Sequence, residues 1–208
     1  MVDDGLDAGK GPRRPADLGG FPHFEWVPCQ RGPGASPASN LVIFLHGLGD
    51  DEHAFAGFAR KINLPQACCL TLRGPVALPA DMGFGWHSAF EADGELIKPT
   101  ANEQRRVETL TMARMRLLGA IQELVFAHGW AADRIFLVGY GQGGVLAVDT
   151  ALNSPRKLGG VVAVASGCLL PEFLLTHPDP AALAAARHWR QKQVCVFILI
   201  IYLFMFFY

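Results

Sequence analysis

One stretch constrains this chain more than any other: Arg134-Ile-Phe-Leu-Val-Gly-Tyr-Gly-Gln-Gly-Gly-Val-Leu-Ala-Val148. Ile135 to Val138 is a short, uninterrupted apolar run, the pattern of a strand buried on both faces. Gly139 to Gly143 then turns the chain sharply, and Gly144 to Ala151 predicts a helix of small residues packed close to a sheet.

The rest of the chain repeats that alternation. Phe24 to Pro28 predicts an edge strand ended by its proline, and Gln30 to Asn40 a Gly-, Pro- and Ser-rich loop. Leu41 to Leu45 predicts a buried strand running into His46-Gly-Leu-Gly-Asp50. Phe55, Phe58 and Ile62 then recur at helical spacing over Glu52 to Ile62, with Asp50 expected as the helix cap. Ala67 to Leu72 is a third strand, leaving through Arg73-Gly-Pro75. Val76 to Pro99 carries glycine, proline and aromatic residues without period, a long loop of the kind that carries function. Asn102 to His128 predicts the longest helix, with Val107, Leu110, Arg114, Leu117, Ile121, Leu124 and His128 on one stripe. Asn102 is the expected N-cap and Gly129 the expected stop. Gly160 to Ala165 predicts a last buried strand, ending at Ser166-Gly-Cys168. Strands alternating with helices imply a parallel sheet with crossover connections, and neither an internal repeat nor a second domain is visible.

Composition narrows the function classes. The 208 residues fit one domain with a sizeable core, and 18% charged residues with half the chain apolar argue against disorder. A formal net charge of −1 leaves no basic footprint for nucleic acid. Cys29, Cys68, Cys69, Cys168 and Cys195 follow no metal-ligand spacing, and no histidine does either, so no metal or other cofactor is assigned. Met1 to Gly20 lacks the apolar core of a secretory leader and reads as a flexible tail. These features favour a reducing, cytoplasmic compartment.

After the last predicted strand the character changes. Pro178 to Lys192 is rich in Ala and Arg and reads as a helix. Val194 to Tyr208 is apolar without interruption. As a helix it reaches about 22 Å, short of a ~30 Å hydrocarbon core, so membrane contact through Val194 to Tyr208 stays open beside no anchoring at all. With no period, the run does not read as an element of the sheet.

Three motifs in order, each after a buried strand, carry a resemblance: His46-Gly-Leu-Gly-Asp50, Leu72-Arg-Gly-Pro75 and Gly139-Tyr-Gly-Gln-Gly-Gly144. Together they resemble the phospholipase/carboxylesterase family of α/β-hydrolases, which includes the acyl-protein thioesterases, from about Phe24 to Leu170. The resemblance implies a doubly wound, mostly parallel sheet in which the glycine turn is a nucleophile elbow, G-x-S-x-G. The family pattern there is G-F-S-Q-G-G, so Tyr140 replaces a phenylalanine and Gly141 stands where the nucleophilic serine would be. The family's later Asp and His find no match. The expected organisation is a tail over 1–20, a partial hydrolase domain over 21–192, apparently truncated after the strand near Ala165, and a hydrophobic tail over 193–208.

Ester or thioester hydrolysis on this fold needs a nucleophile, a base, a group orienting the base, and an oxyanion hole. Gly141 has no side chain with which to attack. The resemblance implies oxyanion donors at the backbone N–H groups of Leu48 and Gln142, with His46, Gly47, Trp86 and Tyr140 around the cleft. Ser166, at a strand end, is either a substitute nucleophile or a hydroxyl closing a turn. His87 either approaches the pocket or is packed in its loop, Cys168 reads as an inert thiol, and Asp149 as an exposed helix residue. Phe84 and Trp86 either line the cleft or cover the sheet edge. Three readings follow: an active esterase with substitute residues, a non-catalytic relative that binds acyl chains or a lipidated protein, and an incomplete product.

Overall fold

The computed structural model describes residues 12–29, 38–91, 93–97 and 103–166, together with the backbone of 196–199. The elements in chain order are β1 (Phe24–Val27), β2 (Asn40–Leu45), α1 (Glu52–Ile62), β3 (Ala67–Leu72), β4 (Val76–Ala77), β5 (Phe84–Gly85), α2 (Gln104–Phe126), β6 (Ile135–Tyr140), α3 (Gln142–Asn153), β7 (Gly160–Val164) and β8 (Val196–Leu199). The main sheet runs β1-β3-β2-β6-β7-β8, with β1 antiparallel to β3 and the other pairings parallel. β4 and β5 form a small separate hairpin inside the long loop.

Parallel strands at the centre must be apolar on both sides, and β2 and β3 are. Leu41, Ile43 and Leu45 point into a core shared with α2 and α3, whereas Val42 and Phe44 meet Ala56 and Ala59 of α1. The layers are therefore α2 and α3 on one face and α1 on the other. Register brings the C-terminal ends of the central strands level, with Leu45 opposite Gly139 and Tyr140 opposite Val164. The loops after β2, β6 and β7 consequently meet at one edge.

Several expectations are corrected. Asp51, not Asp50, caps α1: its carboxylate accepts from Ala54 N–H at 3.0 Å, while Asp50 accepts from Asp51 N–H at 3.1 Å. Phe58 and Ile62 do not face the core of α1, since Ala56 and Ala59 do and the two larger residues stay well exposed. The expected cap Asn102 lies outside the described residues; Glu103 accepts from Arg105 N–H there. At the other end Gly129 takes φ +75° and Trp130 N–H returns to Leu124 C=O at 3.0 Å.

Residues 12–20 are docked rather than a free tail. Leu18 is buried with Phe21 in the α2-side core, and Arg13 N–H donates to His128 C=O at 2.8 Å. Trp130 Nε1–H reaches Arg13 C=O at 3.0 Å. Burying Leu18 and Phe21 draws this segment in, although its polar composition suggested otherwise. Nor does the sheet stop near Ala165: Val196–Leu199, inside the apolar run, adds β8 beside β7. The predicted helix over Pro178 to Lys192 lies outside the described residues, and among those described no helix is long and apolar enough to cross a membrane.

Candidate functional site

The site is built around Gly141, between the last residue of β6 and the first of α3. Gly141 holds φ +52° and ψ −118°, a conformation that L side chains rarely adopt. Its N–H donates to Val164 C=O at 2.9 Å, and its C=O receives the first helical bond, from Val145 N–H at 3.1 Å. The N–H groups of Gln142, Gly143 and Gly144 precede that bond and form the positive end of the α3 dipole. Gly143 lets α3 start this close to β2, since a Cβ there would lie 2.2 Å from Leu45 O and 2.5 Å from His46 O. At Gly141 a Cβ would meet only Gly47 Cα, at 3.9 Å. The position has space for a side chain and an unfavourable backbone for one.

His46 braces the adjoining loop from below. It is fully buried, and its Nε2 accepts from Gly74 N–H at 2.9 Å. The ring proton is thereby assigned to Nδ1, which donates to Gly47 C=O at 2.7 Å. Burial pushes its pKa below the usual histidine value. Trp86 stacks at 5.0 Å between ring centroids and donates Nε1–H to His46 C=O at 2.8 Å. Gln142 then ties the loop to the elbow: its Oε1 accepts from Trp86 N–H at 2.9 Å and its Nε2–H donates to His87 C=O at 3.3 Å.

These contacts frame a cavity of about 220 Å³. Leu48, His87, Arg106, Gly141, Gln142 and Ser166 are among the residues lining it. Gly141, Leu48 and Gln142, singled out from sequence, do converge there. His46, Gly47, Trp86 and Tyr140 do not line it. His46 and Trp86 are the buried supports beneath, and a Cβ on Gly47 would strike the Tyr140 ring at 2.9 Å. Alternation along β6 sends Tyr140 to the α1 face, where it lines a separate apolar hollow with Val138 and Val164.

His87 is 1% exposed, close to Ser88 C=O through Nδ1 at 3.1 Å. Burial, with the Arg106 guanidinium adding to it, pushes its pKa down to about 4, so the imidazole is neutral at neutral pH. Ser166 is buried and donates to Val164 C=O at 3.3 Å, just after Ala165, which is held at φ +50°. Arg106, missed from sequence, is buried where the helical pattern gave no reason to expect a charge. The only available signal was its spacing of four from Leu110. Asp149 is not exposed: it is 2% accessible on its side chain and pairs with Arg114 at 3.2 Å. Cys168 lies outside the described residues. Among those described, no group of three His, Cys, Asp or Glu side chains is placed to hold a metal ion.

A family model described as Phospholipase/Carboxylesterase matches residues 32–188, well over half of the chain. The chain belongs to the phospholipase/carboxylesterase family. Among its relatives are an uncharacterised hydrolase of Schizosaccharomyces pombe, 32% identical over 154 residues, and acyl-protein thioesterase 1 of Neurospora crassa, 30% identical over 157. These alignments cover 70% and 71% of this chain but only 60% and 63% of the relatives. The family fold is also seen in solved structures. A carboxylesterase from Mesorhizobium loti superimposes with a TM-score of 0.55 at 18% identity, covering 93% of this chain and 90% of its own. Acyl-protein thioesterase 2 of Zea mays gives 0.53 at 14% identity, with 86% and 89% covered. The mostly parallel sheet with its flanking helices is thus the family's fold.

Proposed function

We propose that this chain is a carboxylesterase- or acyl-protein-thioesterase-like family member that holds acyl groups at the elbow and does not hydrolyse them efficiently. The observation that carries this reading is Gly141: it sits at φ +52° in a sharp strand-to-helix turn, the context of a nucleophile elbow, and has no side-chain atom to attack with. Loss of a triad nucleophile generally lowers turnover on the order of a million-fold, leaving binding and oxyanion stabilisation. Leu48 and Gln142, the residues whose N–H groups the resemblance offers as oxyanion donors, line one cavity, which supports retention of a carbonyl without covalent chemistry. An acyl ester, thioester or lipidated protein is the ligand class in keeping with the relatives.

Ser166 is the remaining hydroxyl to weigh, because His87 lines the same cavity. Its hydrogen bond to Val164 C=O and its position after a strained residue favour a structural role. A serine-directed fluorophosphonate probe is expected to leave the purified chain unlabelled. Labelling that disappears in Ser166→Ala would overturn the reading and promote that residue to nucleophile. Gly141→Ser is expected to stay inactive on p-nitrophenyl esters; clear turnover would reveal a working base in the cavity.

A further inference from the structure

We infer that residues 12–23 form a strap that sets the elbow, with Phe21 as its positioning residue, acting through Trp86. The strap precedes residues 32–188, the part matched to the family. The inference goes beyond the reading above and holds whether or not the elbow hydrolyses an ester.

Trp86 is the residue through which the elbow is held. It stacks on the His46 ring and donates Nε1–H to His46 C=O at 2.8 Å. Its backbone N–H donates to Gln142 Oε1 at 2.9 Å, so one residue joins the loop after β2 to the first residue of α3. Hydrogen bonds fix its polar atoms, and packing seats its ring. Phe21 supplies an aromatic partner for that seat, with centroids 6.3 Å apart and planes tilted by 58°, within the range of favourable aromatic pairs. Phe21 is 1% exposed and Trp86 fully buried, so removing the phenyl ring leaves a void beside the indole.

The strap reaches His46 by a second route. Arg73 N–H donates to His23 C=O at 3.2 Å, and the next amide, Gly74 N–H, donates to His46 Nε2 at 2.9 Å. His46 is therefore gripped between Trp86 and Gly74. Residues 21 to 23 contact the first of these holders and the immediate neighbour of the second.

The strap is in turn pinned to the C-terminal end of α2 and the turn that follows it. Arg13 N–H donates to His128 C=O at 2.8 Å, and Trp130 Nε1–H to Arg13 C=O at 3.0 Å. Gly19 N–H donates to the Glu123 carboxylate at 2.8 Å. Gly20, at φ +81°, then lets Phe21 N–H return to Leu18 C=O at 3.0 Å, and both side chains turn into the core. Losing the Phe21 ring lets Trp86 settle into the void, and its bonds to His46 and Gln142 loosen together.

The test is native-state hydrogen exchange, read by NMR on the full chain and on its Phe21→Ala variant. Three N–H groups report the elbow: the Trp86 indole, the Trp86 amide and the Gly74 amide. Ile43, in the middle of β2 and paired on both sides, reports global opening. Phe21→Ala is expected to speed exchange at the three elbow groups by about tenfold or more beyond any change at Ile43. Leu41→Ala truncates a fully buried side chain at the end of β2 away from His46, and is expected to speed the elbow groups no more than Ile43. If Phe21→Ala does not fold, Phe21→Leu carries the same comparison, keeping most of the apolar volume and losing the ring. Equal acceleration at Ile43 and at the elbow would make Phe21 a core residue only and overturn the inference. An unmoved Gly74 would also overturn it, because the strap would then not act on His46. So would the elbow-selective pattern appearing in Leu41→Ala.

Discussion

The two faces of the sheet are finished differently. On the α2–α3 face, glycine, histidine and tryptophan lock together through named hydrogen bonds, and a Cβ at Gly143 or Gly144 would collide with neighbours closer than 3 Å. On the α1 face, Phe44, Phe58, Ile62, Val138, Tyr140 and Val164 border a hollow of about 490 Å³. There Phe58 is 49% exposed and Ile62 40%. The first face is held by interlocking loop contacts. On the second, α1 is tied to β3 at its first turn, where Glu52 pairs with Arg73 at 2.6 Å and its C=O accepts from Thr71 Oγ1–H at 2.8 Å. The hollow farther along is bordered by apolar side chains. Substitutions at the elbow should therefore be costly and position-dependent, and around the hollow mild and interchangeable.

The largest expected effect is at Gly143. An alanine methyl there meets backbone oxygens of β2 at 2.2 and 2.5 Å, which cannot swing aside as a side-chain end would. Gly143→Ala is expected to cost about 3 kcal/mol or more, at the upper end of overpacking, lowering the melting temperature of a domain this size by roughly 6 °C or more. A loss under about 1 kcal/mol would mean that α3 does not sit this close to β2.

Next comes acid. His87 is neutral and buried in the native state, with a pKa of about 4 against an ordinary 6.5. Between those values the unfolded chain binds more protons than the native one, so stability falls as pH drops from 6.5 toward 4. The loss attributable to His87 is about 3 kcal/mol by the lower end, in order of magnitude, and His46 adds in the same direction. Denaturant titrations across that range should show this slope flattened in His87→Gln. An equal slope in that variant would place the titration elsewhere. His53 works oppositely: its bond to Glu25 raises its pKa, so that contribution is present at low pH and lost as pH rises through the folded value.

Gly141 follows, with a smaller and purely conformational effect. Its φ of +52° is strained for alanine, yet the space is open to 3.9 Å. Gly141→Ala is expected to cost about 1–2 kcal/mol without disturbing the fold. A cost like that of Gly143→Ala would show that the elbow is sterically closed.

Sequence disclosed the sheet because its signals are local. Uninterrupted apolar runs mark β2, β3 and β6, and the glycine turn marks the elbow. Leu48, Gly141 and Gln142 were legible as one site because three motifs place them at strand ends. The rest depends on the direction a side chain takes. Tyr140 is adjacent to Gly141 in sequence yet faces the opposite layer, through the pleat of β6. Asp149 looked solvent-exposed on helical spacing, yet Arg114 from α2 arrives to pair with it. Arg106 was missed for the same reason: no periodicity distinguishes a cation turned into a cavity from one turned to water. Leu18 and Phe21 were hidden by polar neighbours whose composition outweighed two apolar side chains.

The smallest expected effect tests the hollow itself. Ile62, the last residue of α1, is 40% exposed and lines it. With that exposure, Ile62→Ser removes only part of an isoleucine's burial, and the expected cost is about 1 kcal/mol or less. Truncating a fully enclosed isoleucine costs about 2–5 kcal/mol instead. Equilibrium unfolding of the full chain separates the two ranges. A value in the upper one would mean that the α1 face is closed in solution by chain outside the described residues, and the contrast between the two faces would then be one of chemistry and not of packing.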